Sequence, residues 1–405
     1  MGEERMTHTV VRQMARPSSD ATVLEVLLQG DAVTRAQICA TTGLSRPTVV
    51  DVLARMAHRG IISVETRALG ATGRNPELIS INTSHAVGLA ADVGGSKAVV
   101  ALVDHAGRVL AESVESTAPD AERLAAQLGA MRRELAGRAG VPLKSVVTAV
   151  VGLPGVIDET GRIAHGDNIP GLDRGDVRAL LRRHLKCPVT VENDVNIAGV
   201  GELDADPAIG DGTFVLVSIG TGLGMAVLHE GRVIRGATGR AGEIAFLPLF
   251  GDLEDPIVRG HGSAETMTSG PALERRWAAV AAPAKAEEIL ARAAVGHALA
   301  VRVVGEFVAD LARVILSVAS VLDPARVVLG GGLGANPLLL EPVRAAVARI
   351  TPFPIDIVTS RLGNRSGLGG AIALARRDVR EILRDEMTGG DERVARSVGR
   401  QTKGA

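Results

Sequence analysis

The sequence has no tyrosine, one tryptophan and five phenylalanines among 405 residues. It therefore lacks the aromatic platforms on which single-stranded nucleic acid stacks, and any nucleic-acid partner is expected to be a duplex. Its two cysteines, Cys39 and Cys187, have neither ligand nor disulfide spacing, which fits a reducing cytoplasm. No apolar run approaches the roughly 20 residues of a membrane helix, and the start has no signal-peptide pattern. A cytoplasmic protein without a membrane partner is expected. Net charge is −1 and the sequence pI is 6.8, so no global field attracts a polyanion and a DNA-binding module would have to be local.

What is present is apolar material for two or three domains, at 46% hydrophobic residues. Three helical patterns come first: "DATVLEVLLQG", "TRAQICATTG" and "SRPTVVDVLARMAHRG". Asp20, Thr34 and Ser45 are the expected N-caps, Pro47 fits a first turn, and Gly30, Gly43 and Gly60 are the terminators. The short "TTGLS" joint gives helix-turn-helix spacing. Two strand-like runs, "IISVETR" and "NPELISI", follow as a β-ribbon wing, so residues 1–84 read as a winged helix-turn-helix DNA-binding domain. Val49, Val52, Leu53 and Met56 face the core of this unit. Its expected DNA-binding residues are Thr34, Ser45, Arg46 and Thr48 on the helices and Arg67 and Arg74 in the wing. The competing reading of the same segment is a helical hairpin used for oligomerisation.

From "GLAADVGGSKAVVALVDHAGRVLAESV" the pattern becomes strand, Gly turn, strand, strand. Gly94 lets the backbone approach a phosphate, Asp92 is placed to hold Mg²⁺ through water, and Ser96 and Lys97 are donors. A second such turn, in "FVLVSIGTGLGMAVL", offers Gly220, Thr221 and Gly222. Two Gly-tipped hairpins, each opening one half, imply an internal duplication with phosphate held between lobes. In "ARVVLGGGLGANP", Gly330, Gly331 and Gly332 are expected to meet the flat face of an adenine ring.

The ordered motifs "DVGGSK", "GLPGVID", "NIPGL", "VENDVNIAGVGE", "SIGTGLG", "GRAGEIAF" and "VVLGGGL" resemble the ROK family (repressors, open reading frames and sugar kinases), in its regulator branch. The resemblance implies an α/β fold: the winged helix-turn-helix followed by a two-lobed domain of the actin-like ATPase and hexokinase (ribonuclease H-like) type. Lobe 1 is expected over 85–203, joined by a C-terminal helix over 366–385, and lobe 2 over 204–365, with 386–405 a disordered tail. It also implies a sugar pocket formed by Gly95, Asn168, Asn193, Asp194, Glu243 and Glu265, with Asp194 the general base if the chain is a kinase. From the residues alone, Asn193 and Asp194 also fit a helix cap.

Where the family carries Glu-x-Gly-His and a three-cysteine zinc loop, this chain has Ala245 and Phe246 for the Gly and His, and Pro256, Val258 and Ser263 for the cysteines. Phe, Pro and Val cannot bind zinc. No structural zinc is expected, and lone His261 reads as a loop residue. An apolar side chain at Phe246 is expected to alter which sugar is preferred.

Two functions from different classes fit these motifs. One is a sugar-responsive repressor, a homodimer or homotetramer on double-stranded operator DNA, with effector between the lobes and no required cofactor. The other is an ATP-dependent sugar kinase, using Mg-ATP, that carries a DNA-binding head. A third, weaker reading is a DNA-binding sensor of ATP or a phosphorylated sugar.

Overall fold

The computed structural model describes residues 18–66, 77–158, 160–164 and 169–388. The chain divides into two compact units, one running to His85 and resuming at Arg380, the other Ala86–Val379.

The first unit is built from α1 (Ser19–Leu27), α2 (Arg35–Thr42) and α3 (Arg46–His58), then β1 (Ile62–Thr66) and β2 (Glu77–Ile81) paired antiparallel. The caps locate the helices. Thr34 and Gln37 form a reciprocal capping box, Gly43 ends α2 in the left-handed conformation, and Ser45 caps α3 ahead of Pro47. Ser18, not Asp20, caps α1, because Asp20 lies inside the first turn and pairs with Arg55. Val23, Leu24, Leu27, Ile38, Val49, Val52, Met56 and Ile79 form the buried interior. The last turns of the C-terminal helix α14 (Ser366–Thr388) also belong to this unit. There Arg380 donates to the Leu28 carbonyl, Arg384 pairs with Glu25, and Glu386 lies 2.8 Å from His85. The expectation that 366–385 serves lobe 1 as a whole is thus corrected from Arg380 onward. That segment carries an apolar stripe, Leu383 and Met387, that is buried within the first unit.

The second unit contains two five-stranded sheets of the same plan. In the first, β3 (Val87–Val93), β4 (Lys97–Val103) and β5 (Val109–Ser116) form an antiparallel meander. After α4 (Ala121–Arg138), β6 (Val146–Leu153) joins β3 in parallel. The short hairpin β7 (Val156–Ile157) and β8 (Ile163–Ala164) and helix α5 (Val177–Leu185) precede β9 (Val189–Asn193), parallel to β6, and α6 (Asp194–Ala205). The second sheet repeats the order with β10 (Thr213–Ile219), β11 (Leu223–His229) and β12 (Arg232–Val233). A helical excursion follows: α7 (Pro256–His261), α8 (Glu265–Thr268), α9 (Gly270–Ala278), α10 (Ala286–Ala294) and α11 (Ala298–Leu322). Then β13 (Arg326–Gly330), α12 (Gly331–Gly334), α13 (Pro337–Ile350) and β14 (Ile357–Thr359) complete the sheet. The orders β5-β4-β3-β6-β9 and β12-β11-β10-β13-β14 match strand for strand, the structural form of the duplication read from the two Gly-tipped hairpins.

The central strands β6 and β13 are buried on both faces and consist mostly of Val, Leu and Ala, as parallel-sheet interiors do. Helices α6 and α14 pack backbone to backbone. A Cβ on Gly370 would collide with the Ile197 carbonyl and one on Gly201 with that of Ser366. The loop before α14 is tied down by buried Glu202, which accepts from Ser360 Oγ, Ser366 Oγ and the amides of Arg361 and Leu362.

Candidate functional site

The polar groups converge where strand ends meet Gly turns. Asp92 stands near the end of β3, and the turn after it is pinned by Gly94 N donating to Lys97 O at 2.9 Å and Thr117 Oγ1 donating to Gly94 O at 2.7 Å. Gly367, in the first turn of α14, lies so close that a Cβ there would be 2.5 Å from Asp92 Oδ2. Burial pushes the Asp92 carboxyl above its ordinary range, and Lys97 partly offsets this.

Asp194 is the first residue of α6, directly after β9. Asn193 is the cap: its Oδ1 accepts from Val195 N and Asn196 N, both at 2.9 Å, and its Nδ2 donates to Gly155 O at 3.0 Å. The amide of Asn193 is thus committed to the fold. Asp194 accepts from Val195 N yet keeps a solvent-accessible face. Its surroundings are dense enough that burial, then the charges of Asp92 and Glu243, push its pKa up to about 7, against the backbone hydrogen bonds that lower it. Asp194 is thus densely surrounded yet partly accessible. Asp92 and Glu243 are each within electrostatic reach of it.

Glu243 opens a 3-10 turn, Ile244–Phe246, in which Phe246 is 44% exposed. Glu265 begins α8, and its Oε2 accepts from Leu223 N at 2.9 Å and packs against Gly222, where a Cβ would be 2.8 Å away. Burial raises its pKa, opposed by that amide and by His261, whose ring lies 3.7 Å from Oε1. Glu265 is therefore directed at the Gly220–Gly222 turn. That turn closes with Gly220 N on Gly222 O and is fixed from outside by Gly270 N on Gly220 O. Beside it Gly331 has φ +77°, and a Cβ there would lie 2.6 Å from Ile219 O, so a side chain is excluded where the two turns meet.

Sequence reasoning missed Glu192 and Arg235. Glu192, buried at the end of β9, accepts from Asn193 N and Asn196 Nδ2 with one oxygen and from Arg235 with the other. Arg235 leads the segment that ends at Glu243, and Gly239 within it packs on the Ile157 carbonyl. The paired residues are 43 apart in sequence, and nothing in either local pattern announces the pair.

In the first unit, Thr34, Ser45 and Thr48 hydrogen-bond within their own caps, Ser45 Oγ lying 2.8 Å from Thr48 Oγ1. Arg46 is exposed at the first residue of α3 and has no ion pair or side-chain hydrogen bond among the described residues. Arg67, Arg74 and Asn168 lie outside the described residues. Gly95, Ser96 and Lys97 are exposed at the first Gly turn and Thr221 at the second. Among the described residues, no three His, Cys, Asp or Glu side chains gather where they would hold a metal ion. No helix of the described chain is long and apolar enough to cross a membrane.

Comparison with known proteins gives a consistent family. The model of the ROK family matches residues 88–378. A β-glucoside kinase from Listeria innocua is 26% identical over 291 residues, covering 69% of this chain and 94% of its own length. The crystal structure of a ROK hexokinase from Thermus thermophilus is 30% identical with a TM-score of 0.62, covering 73% of this chain and 99% of that one. A ROK family transcriptional regulator, a homologue of the E. coli MLC protein, shares the fold with a TM-score of 0.68 at 21% identity, over 91% of this chain and 97% of its own.

Proposed function

The chain belongs to the ROK family, and from that premise we propose that it is a sugar-responsive DNA-binding transcriptional regulator, acting in the cytoplasm as a repressor of carbohydrate genes. The observation that carries this reading is the unit ahead of Ala86. The two kinase relatives align with 69% and 73% of the chain, whereas the fold shared with the regulator extends over 91%. A three-helix unit with an antiparallel hairpin is a winged helix-turn-helix in outline. In it α3 is the recognition helix, with Ser45, Arg46 and Thr48 at its exposed start. Arg46, with no ion pair or side-chain hydrogen bond among the described residues, reads a base edge or a phosphate.

The effector is a sugar held above Asp194. Asp194, Glu243 and Glu265 supply acceptors to hydroxyl groups, and Gly95 leaves room at the wall. Such a ligand controls DNA binding only if it binds the competent and incompetent conformations with different affinity. One head has too small an interface for high operator specificity, so the working form is a homodimer or homotetramer.

A second reading, an ATP-dependent sugar kinase, is favoured by the place of Asp194 at the start of α6, where burial pushes its carboxyl up to about 7 and suits it to take a proton at neutral pH. The residues fit Mg-ATP. Asp92, Gly94, Ser96 and Lys97 on the first turn and Gly220, Thr221 and Gly222 on the second would hold phosphates and metal, and Gly331 keeps the space beside them free of a side chain. Bound Mg-ATP would supply the phosphoryl group, and Asp194 would take the proton of the attacking hydroxyl.

Asp194→Asn tests the shared site. The substitution should abolish the sugar response of DNA binding while leaving sugar-free binding intact; an unaltered response would place the effector elsewhere.

A further inference from the structure

We propose that Ser263 is a positioning residue. Together with Phe250 and the buried Asp310 it forms a brace that fixes Glu265 against the Gly220–Leu223 turn. The proposal rests on the reading of that turn as a ligand-binding element, and its structural core can be tested separately.

Ser263 is 3% exposed, and its hydroxyl both accepts from and donates to one residue. It accepts from Phe250 N at 2.7 Å and donates to Phe250 O at 2.6 Å, closing the segment 250–263 at its neck. Within the segment Asp255 caps α7, and Gly262, at φ +90°, packs on the Ala245 carbonyl, which accepts from Ala264 N at 2.9 Å. The next residue is Glu265.

Both flanks of Glu265 lead to Asp310 on α11, itself 9% exposed. On one side Arg313 donates to Asp310 Oδ1 at 3.1 Å and places its guanidinium 5.9 Å from the centre of the Phe250 ring. On the other, Arg276 bonds Asp310 Oδ2 and donates to the Met267 carbonyl at 3.1 Å. Asp310 is thus linked through Arg313 to Phe250, at the neck of the segment before Glu265, and through Arg276 to Met267 after it.

The consequence lies at Leu223. Its amide is the donor to Glu265 Oε2, and it adjoins the turn whose Gly220–Gly222 backbone is placed to meet a ligand. If the neck opens, Glu265 is released, the Leu223 amide loses its acceptor, and the turn gains conformations a ligand must then remove. A hydroxyl that both donates and accepts in a buried place is costly to delete, because Ala leaves an unsatisfied N–H and an unsatisfied C=O.

The test is amide hydrogen exchange on the full chain, with Val327 in the central strand β13 as internal reference. In Ser263→Ala the amides of Phe250 and Leu223 should exchange about ten-fold faster or more while Val327 is unchanged, and Ser263→Thr, which keeps the hydroxyl, should restore protection. Arg313→Gln, outside the ligand-contacting set, should speed exchange at Phe250 without the Ser263 change. Leu223 exchange that is unaltered in Ser263→Ala, or altered only in step with Val327, overturns the proposal.

Calorimetry with Mg-AMPPNP and with glucose supplies the functional arm. Where the wild type binds either probe, Ser263→Ala should weaken it about ten-fold, and equal affinity contradicts the positioning role. If the wild type binds neither, nor any other hexose, the ligand-site reading fails, while the exchange at Leu223 still decides the brace.

Discussion

Arg235 and Glu192 are joined across the two sheets of the ROK domain, with Arg235 Nε 3.0 Å from Glu192 Oε2. The carboxylate is almost fully enclosed and the guanidinium is about half exposed. The other oxygen of Glu192 holds Asn193 N and Asn196 Nδ2 at 3.0 and 3.1 Å. One buried carboxylate therefore links the segment bearing Asp194 with the segment bearing Glu243.

Arg235→Ala leaves that carboxylate buried without its counter-charge. We expect a loss of about 2 kcal/mol in chemical denaturation, below the usual cost of breaking a buried pair because Arg235 already faces water. Sugar affinity should fall with it. A cycle with Glu192→Gln should show that the two losses are not additive; independent losses would mean that the pair is incidental.

The titration of Asp194 gives a signed pH dependence. Its folded pKa of about 7 stands above the 3.8 of the free side chain, so between these values the folded chain holds a proton the unfolded chain has lost. Stability due to this group is therefore full below pH 3.8, declines as pH rises towards 7, and is flat above. The total is at most about 4 kcal/mol, to which burial contributes most and the charge of Asp92 next. Asp194→Asn should remove this slope. A sugar hydroxyl that donates to ionised Asp194 should bind more tightly above pH 7 than at pH 6, with proton release on binding. Calorimetry in buffers of different ionisation enthalpy measures that release, and its absence would remove Asp194 from the ligand contacts.

Arg46→Ala should weaken specific operator binding by about 1–3 kcal/mol, roughly ten-fold or more, with sugar affinity unchanged. Fluorescence anisotropy on a specific and a scrambled duplex separates the cases. Equal loss on both makes Arg46 a phosphate contact, and no loss on either means that α3 enters the groove in another register.

Ser263 takes up Phe250 where the family resemblance implies a zinc ligand, and Phe246 and Val258 stand at further ligand positions. Elemental analysis of protein purified without added metal should find far less than one zinc per chain. Incubation with a chelator should change neither thermal stability nor sugar binding. Stoichiometric zinc would refute this.

Much of the architecture is legible in the sequence because it rests on local rules. The caps Thr34 and Ser45, the left-handed Gly43 and the 3.6-residue spacing of Val49, Val52, Leu53 and Met56 fix the head helices. Gly-tipped alternating runs fix the two opening hairpins. The misplaced cap at Asp20 arose because its partner, Arg55, is 35 residues away, and a local pattern does not distinguish a cap from a first-turn ion pair. The long helix α11 is mostly interior: Val303, Phe307, Leu311, Val314 and Ile315 are buried, while Val301 and Val321 are exposed. Arg235 with Glu192, Asp310 with Arg276, and Glu265 on Leu223 are all contacts between distant segments. Asn193 shows the converse: cap and sugar contact share one local sequence, and only the placement of Gly155 reveals where its amide nitrogen goes.

The central claim is that a sugar in the ROK domain governs DNA binding by the head. The measurement is titration of the purified full chain with a fluorescent duplex from its own upstream region, at fixed salt, against a panel of sugars with and without Mg-ATP, with ADP followed in parallel. The account predicts that one class of sugar changes duplex affinity by ten-fold or more without nucleotide, and that Asp194→Asn loses the effect. No change with any sugar would contradict it, and a change only with Mg-ATP as ADP accumulates would make the chain a sugar kinase carrying an accessory head.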